Sequence, residues 1–268
     1  MAGIVEAASA RPMPFAPPDG QLALDLGPPP PPSFGNFVAG ANTECLARLQ
    51  ALAAGDRSQR FLYLWGPSGC GRSHLLASLA ADCAAATAAA AAATTPAPAA
   101  TATPSTVRLG PDAPLHAFSG GLDSPGTITL LDDAHLLDAA RQEAAFHRYV
   151  AAQQDARAAF VATGDAPPLS LSMREDLRTR LGGALVLRLE PLTDEDKRAA
   201  LARAAHERGV TMSPEVLDYM LLHLPRDLRV LMSTLAALDR FALEKKRAIT
   251  MPLLREFSQR RLPLSDAG

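Results

Sequence analysis

The chain is short of cysteine. Cys45, Cys70 and Cys83 are scattered through 268 residues and none forms a CxxC pair. That excludes a structural zinc site of the CxxC kind, and an odd count without a secretion signal fits a reducing compartment. The N-terminus, MAGIVEAASARPMPFAPPDG, lacks a basic region followed by an apolar run, so it is not read as a signal peptide. No apolar stretch has the makings of a membrane span. The nearest, 84–93, is almost all alanine with Thr87 inside, and alanine is too weakly hydrophobic to anchor in a bilayer. Basic excess is missing too. Lys and Arg total 26 against 28 Asp and Glu, for a net charge of −2 and a pI near 6.3. No global field then draws the chain onto nucleic acid, although a local basic patch is compatible with these totals.

What is present is a hydrophobic share of 48%, enough to bury the core of one α/β domain and a small satellite. Residues 1–33 are rich in Pro, Gly and Ala, with unbroken proline at 28–32. Such a run favours extended polyproline II and reads as a tether. Within it QLALDL (21–26) alternates apolar residues. A helix is expected over 43–53, a strand at FLYLW (61–65), then glycines and a helix from Ser73. Strand, glycine loop and helix open a βαβ unit. An alanine- and proline-rich insertion follows at about 84–105, where Pro96, Pro98 and Pro104 must end any helix. Buried-type strands are expected at 127–131, 159–163 and 185–189. Strands alternating with helices predict a parallel sheet covered on both faces. From 192 to 262 the pattern is all helical: a helix capped by Thr193, one led by Ser213 and Pro214, and two more. Residues 263–268 are a short tail. The fold expected is thus α/β over 34–191 with a small all-α domain after it.

The chemistry concentrates in a few places. Gly66, Pro67, Ser68, Gly69, Cys70, Gly71, Arg72 and Ser73 fit GxxxxGKS with arginine in the lysine position. Glycines let backbone N–H groups curl around phosphate, and the following helix N-terminus adds a favourable dipole. The bland alternative is a glycine turn before a helix, and the flanking strand and helix weigh against it. TITLLDDAH sets Asp132 and Asp133 at a strand end, a place suited to Mg²⁺ and to positioning water. AFVATGD ends another strand on Thr163 and Asp165. Arg178 and Arg180 lie on a short helix, and Arg226 begins a later one. Taken singly, each of these arginines reads as a solvated charge, as do Lys245, Lys246, Arg247, Arg260 and Arg261.

In this order the motifs resemble the AAA+ module of the bacterial DnaA family. GRSH and QLALDL are similar to the Hda-type regulators within it, as EPLTDEDKRAAL is to the start of their lid, and the leading SFGNFVAGAN resembles the family's entry segment that frames the adenine. The resemblance covers about 34–262. It implies an AAA+ P-loop fold followed by a helical lid. Asn36, Phe37 and Val38 would lie near the base of ADP or ATP, and 66–74, His74 included, would cradle its phosphates. Ser73 and Asp132 would hold Mg²⁺ and Asp133 would orient water. Asp165 would be sensor I, Arg226 sensor II and Arg180 an arginine finger for a partner's nucleotide. Gln21, Leu22, Leu24 and Leu26 would bind the DNA polymerase III sliding clamp. The implied activity is a cytoplasmic, nucleoid-associated regulator that stimulates hydrolysis of DnaA-bound ATP and restrains replication initiation.

Arg72 is planar and longer than lysine and is not a conservative swap at a phosphate. With Asp133 in place of a glutamate, it leads us to expect tight ADP binding and weak intrinsic turnover at most. Two other readings stay open: a DNA-binding initiator or helicase loader, and an interaction module whose nucleotide is structural. An initiator would continue into a helix-turn-helix after the lid, for which little length is expected here. Direct sequence-specific DNA binding and membrane attachment are therefore not expected.

Overall fold

The computed structural model describes residues 31–92, 105–120, 125–225 and 227–261. The 21–26 motif, Arg226 and most of the alanine–proline insertion lie outside them.

Five parallel strands form one sheet: β1 (Phe61–Trp65), β2 (Thr106–Leu109), β3 (Ile128–Leu131), β4 (Ala159–Gly164) and β5 (Leu185–Arg188), in the order β2-β3-β4-β1-β5. Helices α1 (Thr43–Ala53) and α2 (Arg72–Ala92) cover one face; α3 (Leu115–Ser119), α4 (Ala139–Gln154) and α5 (Glu175–Gly182) cover the other. Strand alternation divides the core. Leu62, Leu64, Leu130 and Val161 pack on Leu49, Leu75 and Leu79, whereas Tyr63, Leu131 and Phe160 pack on Phe118, Tyr149, Leu177 and Leu181. Every residue of β3 and β4 is buried, as expected of central parallel strands covered on both sides.

Four helices follow: α6 (Asp194–Glu207), α7 (Pro214–His223), α8 (Leu228–Lys245) and α9 (Met251–Arg261). They enclose a separate core of Leu201, Val216, Met220, Leu235, Leu238 and Phe257 among others. Thr193 caps α6 in a reciprocal box with Asp196, its hydroxyl accepting from the Asp196 N–H at 3.1 Å while the carboxylate accepts from the Thr193 N–H at 3.0 Å. Ser213 departs from expectation. It occupies the N-cap of α7 but makes no side-chain cap bond.

Two elements were not anticipated. The short edge strand β2 begins directly after the low-complexity insertion. Four residues carry too little periodicity to announce a strand, and this one exists through its pairing with β3, Thr106 opposite Ile128 through Leu109 opposite Leu131. The five-residue α3 is likewise a product of packing, with Phe118 fully buried. The alanines do prolong α2, as far as Ala92, and Thr87 is accommodated there by bonding back to the Cys83 carbonyl at 2.9 Å.

The leading segment is tied to the junction between sheet and helices. The Asn42 amide both donates to the Glu190 carbonyl (2.9 Å) and accepts from its N–H (2.7 Å). Gly40, at φ +51°, passes close to Leu192 and Asp196. Residues 34–38 are thereby held beside the start of α2.

Candidate nucleotide site

The order β3-β4-β1 sets three strand ends side by side, the place where open α/β sheets bind ligands. β1 leads into 66–71. Gly69 (φ +80°) and Gly71 (φ +100°) adopt backbone conformations that side chains rarely allow, and they turn the chain into the N-terminus of α2. The first-turn N–H groups of a helix have no intrahelical acceptor, so the loop and Arg72–His74 face outward as an anion cradle. Phe37 crosses the loop at Gly71 and leans on His74, ring centroids 5.5 Å apart and tilted by 47°. Val38 beside it is half-buried. Asn36 is occupied otherwise: its carbonyl oxygen accepts from the Ser33 N–H and its amide donates to the Pro31 carbonyl, both at 2.9 Å, so it shapes the leading turn.

His74 Nε2 faces the Ser33 carbonyl at 3.2 Å and therefore carries the proton on that nitrogen. Burial lowers its pKa below the usual imidazole value; the bond to Ser33 opposes this and the Arg229 charge adds to it. The folded state thus prefers neutral His74. Its contribution is complete above the ordinary value of about 6.5 and is lost as pH falls, because the unfolded chain takes up the proton first. Acidification from pH 7.5 to 5 should lower the melting temperature of the parent more than that of His74→Gln. Equal losses would show that His74 contributes nothing to acid sensitivity.

Across the crevice, Asp132 Oδ1 accepts hydrogen bonds from Thr163 Oγ1 (2.8 Å) and Ser73 Oγ (3.2 Å), while Oδ2 accepts from Arg108 at 2.9 Å. Asp133 sits in the left-handed region at φ 47°, a conformation aspartate tolerates better than most residues. Its N–H donates to Thr163 Oγ1 at 2.9 Å. Its carboxylate lies 3.4 Å from the Arg72 guanidinium and 4.0 Å from His135, whose other nitrogen is 3.8 Å from Asp165. These are ion-pair spacings outside hydrogen-bond geometry. Arg72 Nη1, Asp133 Oδ1 and His135 Nδ1 stay buried without a hydrogen-bond partner among the described residues. A buried guanidinium nitrogen with a free donor calls for an acceptor, which a phosphate oxygen in the cradle would supply.

The same donors fit Mg²⁺ less well. Ser73 retains lone pairs, but the charge of Asp132 is already balanced by Arg108 and Asp133 is turned toward Arg72 and His135. No group of three or more His, Cys, Asp or Glu suited to a metal occurs among the described residues.

Arg180 belongs elsewhere. It is exposed on α5, and with Phe146, Arg174, Asp176 and Thr179 it lines an open groove of about 630 Å³. Arg174 is tied to Asp176 (2.9 Å) and Glu143 (3.2 Å), whereas Arg180 has no ion pair or side-chain hydrogen bond among the described residues. Arg178 is half-buried. Lys245 and Arg247 both pair with Glu256, tying the end of α8 to α9. Two residues of the site were missed in the sequence. His135 carried a weak signal as the last residue of LLDDAH; Arg108, next to low-complexity sequence, carried none.

The bacterial DnaA ATPase domain matches residues 31–188, and the Hda lid domain matches 194–257. Among solved structures, domain III of the Thermotoga maritima replication initiation protein DnaA is similar at a TM-score of 0.63 with 19% identity, over 86% of this chain and 99% of that one. AMPPCP-bound DnaA from Aquifex aeolicus follows at 0.61 and 18%, over 81% and 68%. The Holliday junction branch migration motor RuvB of Thermotoga maritima is similar at 0.59 and 16%, over 85% and 72%. Identities this low speak for the shared AAA+ fold, and the family rests on the two domain matches. With the ATPase domain matching more than half of its length and the Hda lid behind it, the chain belongs to the DnaA-related AAA+ family as an Hda-type member.

Proposed function

We propose that the chain is a nucleotide-bound regulator that docks on the DNA-loaded sliding clamp and presents Arg180 to ATP held by DnaA, so that the ATP is hydrolysed and initiation is switched off. The observation that carries the reading is Arg180 itself, an exposed guanidinium without an ion pair or side-chain hydrogen bond among the described residues, at the rim of an open groove. It stands apart from the Arg72–Asp133–His135–Asp165 cluster. An arginine placed to complete another molecule's site neutralises charge developing on the γ-phosphoryl group. The chain's own nucleotide, ADP or ATP, is held by 66–74 with Phe37 and Val38 near the base. Arg72 meets the phosphates, and Asp165 senses them through His135. The AMPPCP in DnaA structures of the same fold supports nucleotide as the ligand class.

The test is reconstitution: the full chain, clamp loaded on DNA, and DnaA carrying radiolabelled ATP, with hydrolysis followed over time. Hydrolysis that does not accelerate on adding the chain sinks the proposal. An initiator or loader that binds DNA itself is the rival reading. Tight binding of the free chain to an origin duplex at physiological salt would favour it.

The clamp contact is assigned to 21–26. An extended peptide flanked by Pro and Gly seats alternate side chains in an apolar groove, here Leu22, Leu24 and Leu26, with Gln21 adding polar recognition. Gln21→Ala combined with Leu26→Ala should abolish clamp binding in surface plasmon resonance and leave ADP affinity intact. Clamp affinity equal to the parent's would remove this contact from the mechanism.

A further inference from the structure

Arg108 is the third residue of β2. The register sets it opposite Leu130 and sets Leu109 opposite Leu131, so its guanidinium reaches Asp132 just beyond the end of β3. The pair is 2.9 Å apart, and the aspartate side chain is only 13% exposed. The other oxygen of Asp132 takes the hydroxyls of Ser73 and Thr163. The single negative charge is therefore balanced and both oxygens are directed by donors. Next to it, Asp133 is turned to Arg72 and His135. Mg²⁺ dehydrates reluctantly and is held by one or two carboxylates together with the phosphates. Here the first carboxylate is neutralised and the second is turned away. A guanidinium paired with Asp132, whose side chain is largely buried, also repels a second cation there.

We propose that Arg108 stands in for the divalent cation at Asp132, so that the site takes the diphosphate of a nucleotide without Mg²⁺. The inference rests on reading the crevice as a nucleotide site. Arg72 and the backbone N–H groups of 66–73 hold the diphosphate. Arg108 cancels the carboxylate that would otherwise repel it. A nucleotide held this way lacks the ion that aligns a γ-phosphate for in-line attack, so the chain keeps its nucleotide and leaves the hydrolysis to a partner's site.

The experiment is a titration of the full chain with fluorescent mant-ADP, in excess MgCl₂ and in excess EDTA. The parent should bind with affinities within about threefold of each other in the two buffers. Arg108→Ala should fold as the parent does and bind about tenfold or more tighter with Mg²⁺ than without, the scale on which groups around a metal site set its affinity. Arg108→Gln, which keeps a polar side chain on the edge strand, should behave like Arg108→Ala. A parent that itself needs Mg²⁺ by tenfold or more overturns the proposal, and so do two variants that remain indifferent to the metal. A parent that binds in neither buffer overturns the nucleotide reading itself, and the two failures are distinct.

Discussion

Arg180→Ala should leave folding, ADP binding and clamp docking at parental levels and lose stimulation of DnaA-ATP hydrolysis by a factor of about 10³–10⁵, the range over which arginine fingers act in other NTPases. The reason lies in how α5 and its N-cap present three arginines. Arg174 is bound to Asp176 and Glu143 and shapes the helix start. Arg178 is half-buried, and two residues apart on a helix means a different face. Arg180, in the last turn, is exposed, and no described carboxylate holds it. A surface arginine in an intramolecular ion pair contributes about 0–1 kcal/mol, and its removal would scarcely register in any assay. The two roles therefore separate by orders of magnitude. Single-turnover hydrolysis of DnaA-bound ATP reads the difference directly, with Arg178→Ala as the matched control, expected to stay close to the parent. Normal stimulation by Arg180→Ala would require the mechanism to be rebuilt around another residue.

The second large effect is expected at Gly71. Its φ of +100° is unfavourable for any residue with a Cβ, and a Cβ built there would lie 2.7 Å from the Phe37 ring. Gly71→Ala must therefore move Phe37, which leans on His74, or turn the loop backbone away from phosphate. Losing two charge-assisted bonds to phosphate, each of about 1.5–3 kcal/mol, should weaken ADP binding by about a hundredfold or more at 1.4 kcal/mol per decade. Gly55→Ala isolates the two causes. Gly55 has a similar φ of +98° but nothing within 4 Å of an added Cβ. It should cost about 1–3 kcal/mol of stability through backbone strain and leave ADP affinity unchanged. Calorimetric titration of both variants decides the matter. Parental affinity in Gly71→Ala would show that the loop does not hold phosphate with its backbone.

Much of this protein was determined by its sequence, because the signals were local. The run of Phe61–Trp65 and the glycines after it give strand and turn without help from the rest of the chain. The Thr193 cap sits where its own side chain meets an N–H three residues on. The continuous burial of β3 and β4 follows from their mainly apolar residues, with Thr129 and Thr163 buried among them. The positions of Asp132, Asp133 and Asp165 at strand ends follow in turn. Only the tertiary structure decided which of these ends meet. The order β2-β3-β4-β1-β5 is a set of long-range pairings, and no local pattern encodes it. That order brings Thr163 to Asp132 across 31 residues and Ser73 across 59. It also lays an edge strand with no periodic signal of its own beside β3, and so places Arg108 on Asp132. Nor could the sequence reveal that Arg174 has carboxylate partners and Arg180 has none among the described residues, since an arginine's partner is set by what the packed helices bring within reach. Residue types fixed what chemistry was available, and the sheet order and helix packing, being non-local, chose which groups act together.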